Sequence, residues 1–163
     1  MLFRSPHLLL PRVLLNRRFP TPTLKAIETA VGASEKRHRA EIRFAVEVAL
    51  DVRSLWRVRT VRDRALEVFA ELGVWGTDER NGVLIYVLLA ERHVEIVADH
   101  GLNGRVSDAE WREVCALIER EFAASRWRDG ALHGIEAATQ LLAREFPATG
   151  ANRNEQPDKP VVL

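Results

Sequence analysis

The fold of this protein is decided by one apolar stretch near the middle of its sequence, Gly82-Val83-Leu84-Ile85-Tyr86-Val87-Leu88-Leu89-Ala90. No charged residue interrupts this stretch, which predicts a central strand covered by other layers on both faces of a sheet. After Glu91 and Arg92, the residues from His93 to Ala98 alternate between polar and apolar. So short a gap permits only an antiparallel hairpin, and this next strand is predicted to lie at an edge of the sheet.

An earlier segment, residues 41–50, also has the period of a strand. Its apolar face is formed by Ile42, Phe44, Val46, Val48 and Leu50, so we predict a strand with one strongly apolar face. The helix expected between this strand and the central one predicts a right-handed crossover that makes the two strands parallel.

Four helices complete the prediction. The first begins at Thr21, before a proline, and runs to about Arg39. The second and third begin at Thr60 and Ser107, each followed three residues later by an acid in the pattern of a capping box. The fourth is capped by Ser125 or Asp129 and ends at a proline, with an apolar stripe of Leu132, Ile135, Leu142 and Phe146.

These elements predict an α/β/α sandwich: a small mixed sheet of at least three strands, with helices on both faces, in the order α-β-α-β-β-α-α. Residues 21–147 form the domain, residues 1–20 form a basic arm, and the polar residues 148–163 are expected to be disordered. A chain of 163 residues, 47% of them hydrophobic, is long enough for one packed domain.

Charge and cysteine content exclude several functional classes. The 24 basic and 23 acidic side chains nearly cancel, so the molecule has no field that favours nucleic acid. The one cysteine, Cys115, is expected to be a small buried apolar group on the third helix, and no zinc-binding spacing is present. Without a possible intramolecular disulfide, the cytoplasm is the expected compartment.

The basic arm has two interpretations. Its basic residues precede the first acid, Glu28, and are Arg4, Arg12, Arg17, Arg18 and Lys25. The arm could fold over the domain through its leucines and Phe19, which we favour, or it could contact anionic lipid and hold the protein at the periphery of the inner membrane. Its apolar stretch is too short to cross a bilayer and lacks the features of a cleaved signal peptide.

Three segments together resemble a known family: Glu41-Ile42-Arg43-Phe44-Ala45-Val46, Asn81-Gly82-Val83-Leu84-Ile85-Tyr86, and Val94-Glu95-Ile96-Val97-Ala98-Asp99-His100-Gly101-Leu102. An Asn-Gly pair before the central strand and a Gly-Leu pair after the next strand are similar to the pattern of the TPM domain family. The resemblance spans about Thr23 to Phe146. The sequence resembles a short bacterial form of the family, without the signal peptide, membrane helix and glycine-rich tail that many members have.

The resemblance implies a compact α/β/α domain that binds divalent cations such as calcium in many members. Acid phosphatase activity is implied for some members and accessory roles in membrane complexes for others. For this chain, the resemblance therefore implies an accessory binding module that has no organic cofactor. The module would serve an unidentified protein partner in a membrane or envelope complex. A weak metal-dependent acid phosphatase is the alternative. The family's frequent Asn-Asn-Gly is Arg80-Asn81-Gly82 here, which replaces a neutral ligand candidate by a positive charge.

Strand polarity predicts where polar groups meet. The start of the central strand and the end of its antiparallel neighbour lie at the same end of the sheet, so Asp78, Glu79, Asn81 and Asp99 are expected to converge. Asp108, at the start of the third helix, and Glu41, at the start of the first strand, are further candidates. Calcium prefers six to eight oxygen ligands of these kinds, so we predict a divalent-cation site here.

A purely structural interpretation of the same residues stays open. Asp78 and Asn81 are common in tight turns and Asp99 in caps, while Glu79 could simply be solvated. For a phosphatase, Asp99, His100 and Arg80 could supply a nucleophile and a basic group. No phosphate-binding glycine-rich loop, DxD pair or CxxxxxR signature is present, so catalysis is supported by the family resemblance alone.

Overall fold

A computed structural model of the chain describes residues 9–51, 56, 60–150 and 153–163. The described helices are α1 (Leu9–Arg18), α2 (Thr21–Ser34), α3 (Val61–Glu71), α4 (Asp108–Ala123) and α5 (Trp127–Glu145), and a 3-10 turn covers His100–Leu102. The strands are β1 (Glu41–Glu47), β2 (Gly82–Leu88), β3 (His93–Ala98) and β4 (Val161–Val162). The first eight residues of the predicted basic arm lie outside the described residues.

The strands form one mixed sheet in the order β3-β2-β1-β4. β1 and β2 are parallel, in register from Glu41 opposite Gly82 to Glu47 opposite Leu88. β2 and β3 form the antiparallel hairpin, with β3 at the edge. Every residue of β2 is buried, which confirms the prediction made from its uninterrupted apolar sequence.

Helices cover both faces of the sheet. On one face, apolar residues of β1 and β2 such as Phe44 and Ile85 pack with residues of α2, α4 and α5 in the larger core. On the other face, Leu84 and Tyr86 belong to a smaller core with Ala65 of α3. The predicted α/β/α architecture is confirmed, and the sheet has four strands, in agreement with the expectation of at least three.

We predicted that β1 has one strongly apolar face. In the structure its polar face is also covered, because all seven residues of this strand are buried. Glu47 accepts two hydrogen bonds from Arg64 of α3, at 2.9 and 3.1 Å, and a third from the Tyr86 hydroxyl. A buried carboxylate is costly unless it is paired and hydrogen-bonded. α3 can therefore cover this polar face because it brings Arg64 to Glu47.

The first predicted helix is shorter than expected, since α2 ends at Ser34 and does not continue to about Arg39. The segment after it joins the end of α5 instead. The backbone N–H of Arg39 donates to the carbonyl of Phe146 at 2.9 Å, and His38 forms an isolated bridge with Pro147. These contacts turn the chain toward β1.

Two other boundaries also differ. β1 ends at Glu47 and not at Leu50. The start of α5 is not capped by Ser125 or Asp129, because its N-cap position is Arg126 and no side chain caps it. Ser125 instead takes a left-handed conformation, with φ of 60°, and follows the last turn of α4. It ends one helix and does not begin the next.

The tail was expected to be disordered from residue 148 onward, and this is wrong for residues 153–163. β4 pairs in parallel with β1, and the Leu163 N–H donates to the Val46 carbonyl at 2.9 Å. A strand of two residues is too short to show any period in a sequence. At the other terminus, Phe19 is buried against Phe122 and Trp127, so the described part of the arm packs on the domain.

Candidate functional site

Two turns meet where β2 begins and β3 ends, and we call their residues Asp78, Glu79, Asn81 and Asp99 the rim. The Asp99 N–H donates to the Gly82 carbonyl at 2.9 Å, and the Gly101 N–H donates to the Arg80 carbonyl at 2.8 Å. These backbone hydrogen bonds hold the turn before β2 beside the turn after β3. The backbone of Asp78 lies in the same turn as that of Glu79 and Asn81.

The glycines of the two short motifs are required by this close approach. A Cβ atom on Gly82 would lie 2.1 Å from the carbonyl oxygen of Val74, and one on Gly101 would lie 2.2 Å from that of Glu79. Real Cβ atoms do not approach oxygen so closely, so a side chain at either position would force the turns apart. The Asn-Gly and Gly-Leu pairs therefore mark the packing of the rim.

Asp99 is the rim residue with an unmet hydrogen-bonding capacity. Its side chain is almost fully buried, and Oδ1 accepts the N–H of His100 at 2.7 Å. Oδ2 is buried and has no hydrogen-bond partner among the described residues. Buried polar atoms are nearly always paired, so this oxygen is the rim atom most in need of a donor or a cation.

The other rim side chains are engaged within the chain. Glu79 is exposed and accepts two hydrogen bonds from Arg39, at 3.0 and 3.1 Å, and these hydrogen bonds lower its pKa. Asn81 is buried and donates to the Arg39 carbonyl at 3.2 Å. Asp78 is exposed, and its backbone N–H donates to Glu155 of the tail at 2.9 Å. Arg39 thus supplies the positive charge that Glu79 needs.

Of the two further candidates, Glu41 lies opposite Gly82 beside the rim, and Asp108 lies at the start of α4. Glu41 is fully buried, and its carboxylate accepts the backbone N–H groups of Glu155 and Gln156 at 3.0 and 3.3 Å. Asp108 is exposed in the first turn of α4. Glu41 therefore holds the tail in place, and Asp108 lies beyond the edge of β3.

Glu35, at the end of α2, was missed by the sequence analysis. It is buried and hydrogen-bonds to Glu41 and to Asp158 of the tail. Burial, and then the negative charge of Glu41, raise the pKa of Glu35 to about 9. The neutral carboxyl has one O–H group, which it can donate to one of these acidic neighbours. The signal was available, because Glu35 continues the four-residue spacing of the buried Ile27 and Val31.

The rim does not form a closed cation cage by itself. Within the described ranges, no group of three or more His, Cys, Asp or Glu side chains is arranged so that it could hold a metal ion. Calcium requires six to eight oxygens, whereas the unengaged buried carboxylate oxygen here is Asp99 Oδ2. A cation at the rim would need most of its ligands from water or from another molecule.

Comparison with known proteins places this geometry in a family, since the sequence model of the TPM domain matches residues 18–141. The chain belongs to the TPM domain family. Its TPM fold is similar to the NMR structure of BA42 protein from the psychrophilic bacterium Bizionia argentinensis, at 32% identity and a TM-score of 0.77, over 87% of this chain and 93% of that one.

A second TPM-like structure is more distant. The N-terminal domain of a protein from P. gingivalis is 19% identical, with a TM-score of 0.63 over 82% of this chain and 83% of that one, which shows likeness of fold alone. No curated protein matches the chain. Among the described residues of this TPM domain, none of the helices has both the length and the apolar character needed to cross a bilayer.

Proposed function

We propose that this TPM domain is a non-catalytic binding module that serves a protein of a membrane or envelope complex. The observation that supports it is Oδ2 of Asp99 at the rim, which is buried and has no hydrogen-bond partner in the part of the chain that the structure describes. The neighbouring Glu79 and Glu41 already have partners within the chain. The rim thus has one carboxylate oxygen for which the described residues supply no donor, and a group from outside would reach it only if the covering turns move.

That group is proposed to be a divalent cation such as calcium, shared with water or with oxygens of the partner. Among the described residues, few rim oxygens are free and no closed acidic cage is present, and a shared site agrees with both observations. The exposed Arg12 and Arg17 of α1 are the proposed contacts through which the module could lie at the periphery of the inner membrane.

Thermal melting of the full chain tests the cation. At a cation concentration one hundred times the dissociation constant, a site specific to the folded state adds roughly 2.7 kcal/mol. We expect calcium or manganese to raise the melting temperature, a chelator to reverse this, and Asp99→Asn to abolish it. Asp129→Asn, an exposed acid on α5, is the matched control. Equal melting temperatures with metal and with chelator would rule out the cation.

Acid phosphatase activity is the alternative that the family resemblance supplies. It needs a positioned nucleophile or an activated water beside a basic group. Among the described residues, His100 Nδ1 lies 3.3 Å from the amide of Asn103, which orients the ring without linking it to Asp99. Hydrolysis of an aryl phosphate by the wild type, lost in Asp99→Asn, would contradict the non-catalytic proposal.

A further inference from the structure

A groove of about 390 Å³ lies along the free edge of β3. Its apolar lining comes from Ile96, Leu102, Val106 and Trp111. Arg62 of α3 stands on one side, and Arg112 of α4 stands on the other. The groove is separate from the rim contacts described above and reaches Ala98, the last residue of β3.

The backbone of β3 presents hydrogen-bonding groups to this groove. The bond from the Asp99 N–H to Gly82, together with the β2–β3 register, directs the backbone groups of Val94, Ile96 and Ala98 away from β2. A free edge of this kind is a template for another strand.

Side chains already cover part of the edge. Glu119 accepts the Val94 N–H at 2.9 Å, and Arg62 donates to the Ile96 carbonyl. For Ala98, the part of the chain that the structure describes supplies no partner to the outward N–H or C=O. Among the outward-facing strand residues that line the groove, Ile96 and Ala98, the open hydrogen-bonding groups are therefore those of Ala98.

Some charged side chains around the groove have partners of opposite charge, and Arg112 has none among the described residues. Glu95 lies within ion-pair distance of both Arg62 and His93. Asp108 is in the first turn of α4, where a negative charge is favourable to the helix. Arg112 is exposed, and no carboxylate of the described residues forms an ion pair with it. A carboxylate that enters the groove would meet this free guanidinium.

We infer that the groove binds an extended peptide segment of a partner protein, which adds to the β3 edge at Ala98 and places an acidic side chain against Arg112. Main-chain hydrogen bonds would supply much of the affinity, and the apolar floor would take alternate side chains, as in other cases of strand addition. The inference rests on the proposed binding function, but it does not require the cation.

The test uses the full ¹⁵N-labelled chain and a short acidic peptide of alternating valine and glutamate. We expect saturable shifts of the Ala98 amide and the Trp111 indole. A backbone N-methylated form of the peptide should not bind. Arg112→Glu should weaken binding by about tenfold, as expected for loss of a charge-assisted hydrogen bond, and should then favour a lysine-containing peptide. Arg120→Glu, on an exposed position of the same helix, should bind like the wild type.

Three results would overturn the inference: no saturable shift up to about 1 mM peptide, shifts confined to other surfaces, or equal binding of the N-methylated peptide. Repeating the titration with calcium and with chelator separates the two proposals. Peptide binding without any effect of calcium on melting would remove only the cation proposal. A calcium effect on the melting temperature without peptide binding would rule out only the proposal that the groove binds a peptide.

Discussion

Glu35→Gln is expected to remove much of the pH dependence of the unfolding free energy between about pH 5 and pH 8.5. In the folded protein, burial and the charge of Glu41 raise the pKa of Glu35 from 4.5 to about 9. Over this interval the folded state keeps a proton that the unfolded chain releases. The contribution of Glu35 to the unfolding free energy therefore falls as the pH rises from 4.5 towards 9.

The size of the effect follows from one proton. Each pH unit between the unfolded and folded pKa values changes the unfolding free energy by about 1.4 kcal/mol. From pH 6 to pH 8, the loss is at most about 3 kcal/mol, a large share of the 5–15 kcal/mol typical of a domain. A glutamine amide can donate to Glu41 and Asp158 at any pH, so the variant should keep these contacts without the titration.

The effect is measured by urea unfolding of the wild type and of Glu35→Gln at pH 5.5, 6.5, 7.5 and 8.5. These values span about three pH units of the interval. The quantity of interest is the wild-type unfolding free energy minus that of Glu35→Gln, which cancels contributions common to both. Glu28→Gln, on the same helix but partly exposed, controls for the change of residue type. A difference that stays constant with pH would refute the assignment of a shared proton to Glu35.

Three other predictions concern the backbone and the buried histidine. Gly101→Ala should lower the unfolding free energy by about 1–3 kcal/mol, because its Cβ would lie 2.2 Å from the Glu79 carbonyl oxygen. Gly150→Ala, which meets nothing within 4 Å, should leave the same denaturation midpoint almost unchanged. Arg80→Asn should raise stability by about 0.5–1 kcal/mol, since Arg80 has φ of 53° and asparagine tolerates this conformation better; an unchanged or lower midpoint would contradict this. Burial lowers the pKa of His38 to about 4, so its ring NMR signals should not titrate near pH 6.5, and the contribution of His38 to the unfolding free energy should decrease as the pH falls from 6.5 towards 4.

Local signals in the sequence were sufficient for most of the fold. The capping boxes that start α3 and α4 appear in the structure with both of their reciprocal hydrogen bonds, at Thr60 and Ser107. The uninterrupted apolar run of β2 predicted its central position, and the short gap before β3 predicted the hairpin. These features depend on neighbouring residues, which a sequence displays directly.

Longer-range contacts explain what the sequence did not reveal. The polar residues of β1 suggested an uncovered face, but Glu47 is neutralised by Arg64, which lies on another element. Glu41 was recognised as a candidate ligand, yet its actual partners are N–H groups of the tail. The unpartnered oxygen of Asp99 and the groove beside Arg112 depend on three-dimensional packing, for which a sequence contains no period or motif.

The pairing of β4 with β1 has a practical consequence for protein production. A fragment cut to the family match, residues 18–141, would lack the last turn of α5 and the whole tail. Glu41 would then lose the N–H donors of Glu155 and Gln156, and a bare edge of β1 would be open to self-association. Expression should therefore continue at least through Leu163, and a purification tag is better placed ahead of α1.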